Sequence, residues 1–124
     1  MEVDSAAIQQ MLESRFGAAV GPAVEGPHEA YVEIDGDRID EVADFLRSNE
    51  VLQFDCLWNL SGVDYPEAGR IQIVYELHSY GLGHDLVLKV NADREAPEVN
   101  TVEKTWPAAN WLEREVYDLL GVDF

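Results

Sequence analysis

Apolar residues in the first third of the chain recur at steps of three and four, the spacing that places side chains on one face of a helix. The first apolar stripe consists of Ile8, Met11, Leu12, Phe16 and Ala19. Asp4 or Ser5 can cap this helix, and Gly17 followed by Gly21-Pro22 is expected to end it. The second stripe consists of Ile39, Val42, Ala43 and Leu46. Two amphipathic helices are therefore predicted.

A turn and a short strand are expected between these helices. Glu25-Gly26-Pro27 has the composition of a turn, and residues 30–34 are rich in β-branched and aromatic side chains. Asp37 then precedes the second apolar stripe at the position of an N-cap, so we expect it to cap the second helix.

From residue 52 the spacing changes to a period of two, which is typical of strands covered on one face. Three strands are predicted, separated by a long hairpin loop over 61–69 and a turn over 81–83. Their inward residues are Leu52, Phe54, Cys56, Trp58 and Leu60 in the first, Ile71, Ile73, Tyr75 and Leu77 in the second, and Leu86, Leu88 and Val90 in the third. Polar residues at the alternate positions indicate an antiparallel sheet with one solvated face.

Two capping-box spacings occur near the end of the chain, Asn100 with Glu103 and Asn110 with Glu113. They predict a short helix over 100–105 and a terminal helix over 111–120. The resulting order, α-β-α-β-β-β-α-α, places helices and strands in partly separate runs. We therefore predict an α+β fold for residues 1–124. This is a single domain built as a two-layer sandwich, with a mostly antiparallel sheet and helices on one face.

The terminal helix has an unusual composition, because aromatic side chains surround a group of charges. Arg114 and Asp118 are one turn apart and could pair with each other, and Glu113 could accept the Asn110 amide. Such internal pairing leaves the aromatic residues unexplained, whereas aromatic residues and Arg together are enriched at the centres of protein interfaces. We predict a docking surface made by Trp106, Trp111, Glu113, Arg114, Glu115, Tyr117 and Asp118.

The charge balance excludes several classes of partner. Twenty-five acidic residues face eight basic ones, giving a formal net charge of −17, which disfavours binding to nucleic acid or to anionic lipid. No apolar run approaches the length of about 20 residues that spans a bilayer, so we expect no direct membrane insertion. The acidic surface is explained by solubility, by adaptation to high salt, or by complementarity to a basic partner.

The sequence does not predict a catalytic or metal site. Cys56 is the only cysteine, and an iron–sulfur cluster needs about four cysteine ligands. His78, His84 and Asp85 flank one turn and could converge on a metal, although histidines at a hairpin tip are more often exposed loop residues. His28 has no evident partner. We therefore expect no catalytic, cofactor-binding or metal-ligating residues in this chain.

The terminal segment resembles a known family signature. Its residues in order are Trp111, Glu113, Arg114, Glu115 and Asp118, followed by an apolar pair and Gly121. This pattern is similar to that of the C subunit of the proton-pumping NADH-quinone oxidoreductase, respiratory complex I. The likeness extends over about residues 35–124. Family members usually continue through a His and an Arg-containing segment, so we expect a chain that lacks this C-terminal extension.

The resemblance implies a structural subunit without an active site. The C subunit lies in the hydrophilic arm of the complex, at the cytoplasmic face of the membrane, against the large subunit that shapes the quinone site. NADH, FMN, iron–sulfur clusters and quinone are held by other subunits, which agrees with the single cysteine of this chain. The alternatives are the equivalent subunit of a membrane-bound nickel–iron hydrogenase, an acidic binding module that mimics nucleic acid, and a small hydrolase with paired carboxylates.

Overall fold

A computed structural model describes residues 4–25 and 30–124. The predicted turn residues Gly26 and Pro27, and also His28, lie outside the described part. The helices are α1 (Ser5–Phe16), α2 (Ile39–Ser48) and α3 (Ala109–Leu120). The strands are β1 (Val20–Glu25), β2 (Ala30–Ile34), β3 (Cys56–Tyr65), β4 (Arg70–His78) and β5 (Asp85–Asp93). Short 3-10 turns occupy Gly17–Ala19 and Pro66–Ala68. None of the described helices is long and apolar enough to cross a bilayer.

The five strands form one sheet in the order β1-β2-β5-β4-β3. Three of the four pairings are antiparallel, as predicted, but β2 and β5 run parallel, with Val32 opposite Leu88. This pairing follows from the path of the chain. After β2 it crosses through α2 to the far edge of the sheet and returns through β4, so that β5 lies beside β2 in the same direction. The sheet is therefore mixed.

All three helices cover the same face of the sheet. Their buried residues form one cluster with the inward residues of the strands, so the α+β prediction with helices on one face is confirmed. Ile8 and Leu12 of α1 are fully buried, and the Asp4 carboxylate caps this helix by accepting from the Ala7 amide at 2.9 Å. The inward residues predicted for α2, β4 and β5 are all buried.

Two strand segments differ from the prediction. Val20–Glu25, which includes the expected helix-ending Gly21-Pro22, forms β1. Proline is tolerated there because β1 is an edge strand, where a missing amide donor costs no ladder hydrogen bond. Residues 61–65, predicted as loop, continue β3 as far as Tyr65. Only the short 3-10 turn and Gly69 then connect β3 to β4.

The predicted alternation in β3 is wrong at Cys56 and Trp58. A register shift between Leu57 and Asn59 interrupts the pairing with β4. Such a bulge inserts an extra residue, so Trp58 and Asn59 are both exposed and Leu60 returns to the core, as predicted. The core-facing position before the shift is Leu57 rather than Cys56: Leu57 is buried, Cys56 is half-buried, and Trp58, the next residue, is 53% exposed.

Three predicted caps are also wrong. Arg38, not Asp37, precedes α2, and it makes no side-chain capping bond. Residues 100–105 form turns rather than a helix, and we call this segment the strap. Ala108 precedes α3, so Asn110 lies inside the helix, where its side-chain amide donates to Glu103 at 2.7 Å. Residues with the capping-box spacing are thus present, but their side chains form hydrogen bonds other than those of a helix cap.

The bulge gives a direct stability test with two neighbouring residues. We expect Leu57→Ala to lower the free energy of unfolding by about 2–4 kcal/mol, because it opens a cavity in the core. Trp58→Ala should cost about 1 kcal/mol or less, because it removes only exposed aromatic contacts. Urea denaturation of both variants measures the difference. Equal losses would contradict the register of β3.

Candidate docking surface on the terminal helix

The start of α3 is held by Trp106, which is buried inside the chain. Its side chain is 2% exposed, and its indole Nε1 donates to the Phe54 carbonyl at 2.9 Å. Because a buried indole needs a partner for its N–H, this bond fixes the orientation of the ring. Trp106 therefore anchors the helix to its own core. It offers no exposed side chain to a partner, unlike the other aromatic residues predicted for the docking surface.

Glu113 makes a second attachment, from the middle of α3 to the strap. Its carboxylate accepts from the Thr101 hydroxyl at 2.5 Å and from the Val102 amide at 3.0 Å. The side chain is only 5% exposed, and these two hydrogen bonds offset the free-energy cost of burying its carboxylate. Glu113 thus neither caps Asn110 nor faces outward, and it acts on the predicted surface by fixing the position of α3.

The space beneath α3 favours neutral groups. Burial raises the pKa of Glu113, and the nearby Glu103 charge adds to this, while the hydrogen bonds from Thr101 and Val102 oppose it. Burial also raises the pKa of Tyr75, and the Glu113 charge contributes. The Tyr75 hydroxyl has no hydrogen-bond partner among the described residues. Burial therefore destabilises the ionised form of Glu113, and its two hydrogen-bond donors partly offset this effect.

Close packing against β3 and a backbone hydrogen bond just after the helix complete the attachment of α3. A Cβ atom at Gly62 of β3 would lie 2.6 Å from Leu120 Cδ1 and 3.1 Å from Val116 Cγ1, so glycine permits this approach. Gly121 ends the helix with a φ of 75°, and the Asp123 amide then donates to the Pro97 carbonyl at 2.9 Å. The helix is therefore fixed along its length and at both ends.

This attachment determines which side of α3 faces outward. Ala109, Glu113 and Val116 form the buried side. Because successive helical residues are about 100° apart, the opposite side is centred on Trp111 and Asp118. Trp111 is 65% exposed, and Arg114, Glu115 and Asp118 are also exposed. We call the exposed residues Trp111, Arg114, Glu115, Tyr117, Asp118 and Leu119 the terminal-helix face.

Two apolar residues flank this outward side. Tyr117 is 57% exposed on one flank, and Leu119 is 82% exposed on the other. Leu119 was not among the residues predicted for the docking surface. The signal was present in the Leu119-Leu120 pair, because adjacent helical residues point about 100° apart and only one of them can face the core. Here Leu120 packs inward against Gly62.

The charges of the face make no internal ion pair. None of the ion pairs between described residues involves Arg114 or Asp118, so the internal pairing considered for them does not form. The Arg114 guanidinium is therefore presented beside Trp111 without a carboxylate partner from the described part of the chain. Arg next to exposed aromatic residues is the arrangement that dominates binding energy at many interfaces.

The two histidines beside the β4–β5 turn point to different partners. His78 contacts Asp85, but the His84 ring points to the Leu52 carbonyl, with Nε2 at 2.5 Å from its oxygen. Across residues 4–25 and 30–124, no group of three His, Cys, Asp or Glu side chains is arranged to hold a metal ion.

The family model for the respiratory-chain NADH dehydrogenase 30-kDa subunit matches residues 32–124. The chain belongs to this family. It is 37% identical over 123 residues to the C subunit of the F(420)H(2) dehydrogenase of Methanosarcina mazei, covering 98% of this chain and 77% of the relative. It is 35% identical to the C subunit of the NADH-quinone oxidoreductase of Roseiflexus sp., covering 100% of this chain and 72% of the relative. The corresponding NADH-quinone oxidoreductase protein of Maricaulis maris is 42% identical, but the match spans only 48% of that protein and 77% of this chain.

Solved structures agree with this family membership. A trypsin-resistant fragment of Nqo5 superposes with a TM-score of 0.74 at 30% identity, covering 94% of both chains. A chain of the membrane-bound sulfane sulfur reductase, an archaeal respiratory membrane complex, superposes with a TM-score of 0.75 at 26% identity, covering 94% of this chain and 67% of that chain. The predicted resemblance to the C subunit is confirmed, and the chain is a complex I-type oxidoreductase subunit.

The buried carboxylate gives a prediction about pH. Because burial raises the folded-state pKa of Glu113, the folded chain binds this proton more tightly than the unfolded chain does. Its contribution to stability is therefore greatest below the unfolded value of about 4.5 and falls as pH rises through the raised pKa. Glu113→Gln removes this dependence and keeps groups that can bond Thr101 and Val102. The stability of the variant relative to the parent chain should rise from pH 5 to pH 8.

Denaturation curves of both proteins at several pH values measure this difference. Glu113→Ala serves as the control, because it leaves the buried Val102 amide unpartnered and should cost about 1–3 kcal/mol even where the carboxyl is protonated. Parallel pH profiles for Glu113→Gln and the parent chain would show that burial does not raise the pKa of this carboxyl.

Proposed function

We propose that this chain is a non-catalytic structural subunit in the hydrophilic arm of a proton-translocating NADH-quinone oxidoreductase. In this proposal the terminal-helix face docks on the large subunit that shapes the quinone site. The observation that carries it is the exposure of Trp111, Tyr117 and Leu119 on a helix fixed at both ends. A rigid apolar surface of this kind loses little conformational entropy when a partner covers it.

The charges of the face support a specific orientation of the partner. Arg114 lies among Glu115 and Asp118, so the complementary surface needs a carboxylate opposite Arg114 and basic groups around it. The net charge of −17 strengthens the attraction to the basic groups of such a partner surface. Apolar contacts at Trp111 and Leu119 then supply affinity, while the charges set the register.

We further propose that the chain itself holds no cofactor. Its single cysteine supports this, because an iron–sulfur cluster requires about four cysteine ligands. NADH, FMN, iron–sulfur clusters and quinone would then be bound by other subunits. The chain would contribute to electron transfer from NADH to quinone by holding the arm together, and it would reach the cytoplasmic face of the membrane through its partners.

The range of similar proteins supports a bracing role rather than recognition of one electron donor. The similar chains come from proteins named as an F(420)H(2) dehydrogenase, NADH-quinone oxidoreductases and a sulfane sulfur reductase. A subunit retained among such different reactions is more readily explained by a shared assembly than by a shared substrate. The equivalent subunit of a membrane-bound nickel–iron hydrogenase would use the same surface.

A hydrolase with paired carboxylates has less support. An open groove of about 1310 Å³ runs between α2, the strap and Phe124. Asp40, Glu41 and Asp44 line it, but Glu113, whose pKa burial raises, does not. The carboxyl that burial perturbs therefore lies away from the groove, where it could not act as a general acid on a substrate bound there. No observation favours a nucleic-acid mimic over a family subunit.

The docking proposal predicts the effect of one charge reversal. Arg114→Glu should weaken capture of the large subunit about ten- to a hundred-fold, because it places a like charge opposite the carboxylate that Arg114 meets. Lys104→Glu is the matched control, since it makes the same change in net charge on the exposed strap, outside the face. Co-expression with a tagged large subunit, followed by quantitative pull-down, measures both.

Both variants should keep the parent melting temperature to within a few degrees, because neither side chain is buried. Undiminished capture by Arg114→Glu, or equal losses in both variants, would count against docking through this face.

A further inference from the structure

A second exposed apolar patch lies at one end of the sheet. Of the nine large apolar side chains that are exposed among the described residues, three belong to α3, and four belong to this end. These four are Val51 (46% exposed), Trp58 (53%), Tyr80 (68%) and Leu82 (46%). Isolated exposed apolar residues are ordinary, but a contiguous group usually marks a contact site.

The centre of this patch is a stacked aromatic group. The Trp58 indole lies parallel to the His78 ring, with centroids 4.2 Å apart and an interplanar angle of 7°. Tyr80 meets the His78 ring edge-on at 5.1 Å, and the Trp58 Nε1 donates to the Tyr80 hydroxyl at 3.4 Å. We call Trp58, His78 and Tyr80 the aromatic group. One face of the Trp58 indole is covered by His78, and the residue remains more than half exposed.

The loop that carries Tyr80 is firmly held. The Ser79 amide donates to the His84 carbonyl at 2.9 Å, and the Gly83 amide donates to the Ser79 carbonyl at 2.8 Å. The Tyr80 amide donates to the Asp55 carboxylate at 3.1 Å. The aromatic group is thus pre-organised, so a partner would lose little free energy in ordering it.

The aromatic group and the terminal-helix face lie on opposite sides of the molecule. Leu77 of β4 points into the core beneath the helices, and His78 is the next residue, so it points to the other face of the sheet. Because α3 packs on the core side at Gly62, its outer surface faces away from the aromatic group. One copy of the chain can therefore contact two different neighbours at once.

The surroundings of the aromatic group are acidic. The Asp85 carboxylate contacts His78 Nδ1 at 2.5 Å and is still 63% exposed, and Asp55 is exposed beside Tyr80. Glu76 lies on the same face of β4. None of the eight Lys and Arg residues occurs in segments 50–60 or 76–88, which form this end of the sheet. A complementary ligand is therefore cationic and able to stack on an aromatic ring.

We propose that the aromatic group binds an arginine side chain of a second protein partner, on the opposite side of the chain from the terminal-helix face. The planar guanidinium stacks on the open face of Trp58 and pairs with the Asp85 carboxylate, a combination that Arg makes better than Lys. A second copy of this chain is disfavoured, because it would bring another net charge of −17 to an acidic surface. The inference rests on the proposed function only in requiring a multisubunit assembly.

Site-specific photo-crosslinking in the native assembly tests this proposal. The photoreactive amino acid p-benzoylphenylalanine replaces Tyr80 in one full-length variant and Leu119 in another, and mass spectrometry identifies the joined peptides. We expect the Tyr80 position to join a peptide that contains arginine and belongs to a different protein surface from the one joined at Leu119. Adding Asp85→Asn or Trp58→Leu should lower the Tyr80 yield at least about five-fold and leave the Leu119 yield unchanged, because the two surfaces are separate.

The outcomes distinguish this proposal from the proposed function. If Leu119 forms an adduct and Tyr80 forms none, the arginine site alone is overturned. The same holds if Leu119 forms an adduct and Tyr80 joins a second copy of this chain or a peptide lacking arginine. Absence of adducts at both positions would overturn the arginine site and the docking function together.

Discussion

The hydrogen bonds from Thr101 and Val102 to the buried Glu113 carboxylate determine how the terminal helix lies on the sheet. With Glu113 turned inward, the helix has only one side left for solvent, and Trp111 stands at its centre. Trp106 and the close approach at Gly62 fix the same orientation from other directions. The energetic cost of burying a carboxylate is thus offset by donors that also position the exposed face.

The two exposed surfaces differ in the chemistry that they offer. The terminal-helix face presents Arg114 among aromatic and apolar side chains, whereas the aromatic group presents rings bordered by carboxylates. A rigid two-layer domain with unlike surfaces on its two sides is suited to stand between neighbours and to hold their spacing. The bracing role that we propose needs these two unlike surfaces and no reactive group in the chain itself.

Sequence reasoning succeeded where one periodicity governs a whole element and failed where a local feature interrupts it. The stripe of α2 and the inward residues of β4 were predicted correctly, and in α1 Ile8 and Leu12 are buried while Met11 and Phe16 pack half-buried against the core. In β3 the core-facing position is Leu57 rather than Cys56, which leaves Trp58 exposed, and the bulge after Leu57 then returns Leu60 to the core. Alternation alone cannot locate such a bulge. The spacing of Asn110 and Glu113 suggested a cap, but the strap supplied better donors for Glu113. That preference depends on contacts between segments distant in the fold, which spacing does not encode.

Electron cryomicroscopy of the assembled complex that contains this chain, at a resolution that shows side chains, would observe the docking surface itself. Docking through the terminal-helix face predicts that Trp111, Arg114 and Leu119 are covered by another subunit, with a carboxylate facing Arg114, while Glu113 keeps its bonds to the strap. A complex in which these three residues face solvent and the chain is held elsewhere would contradict it.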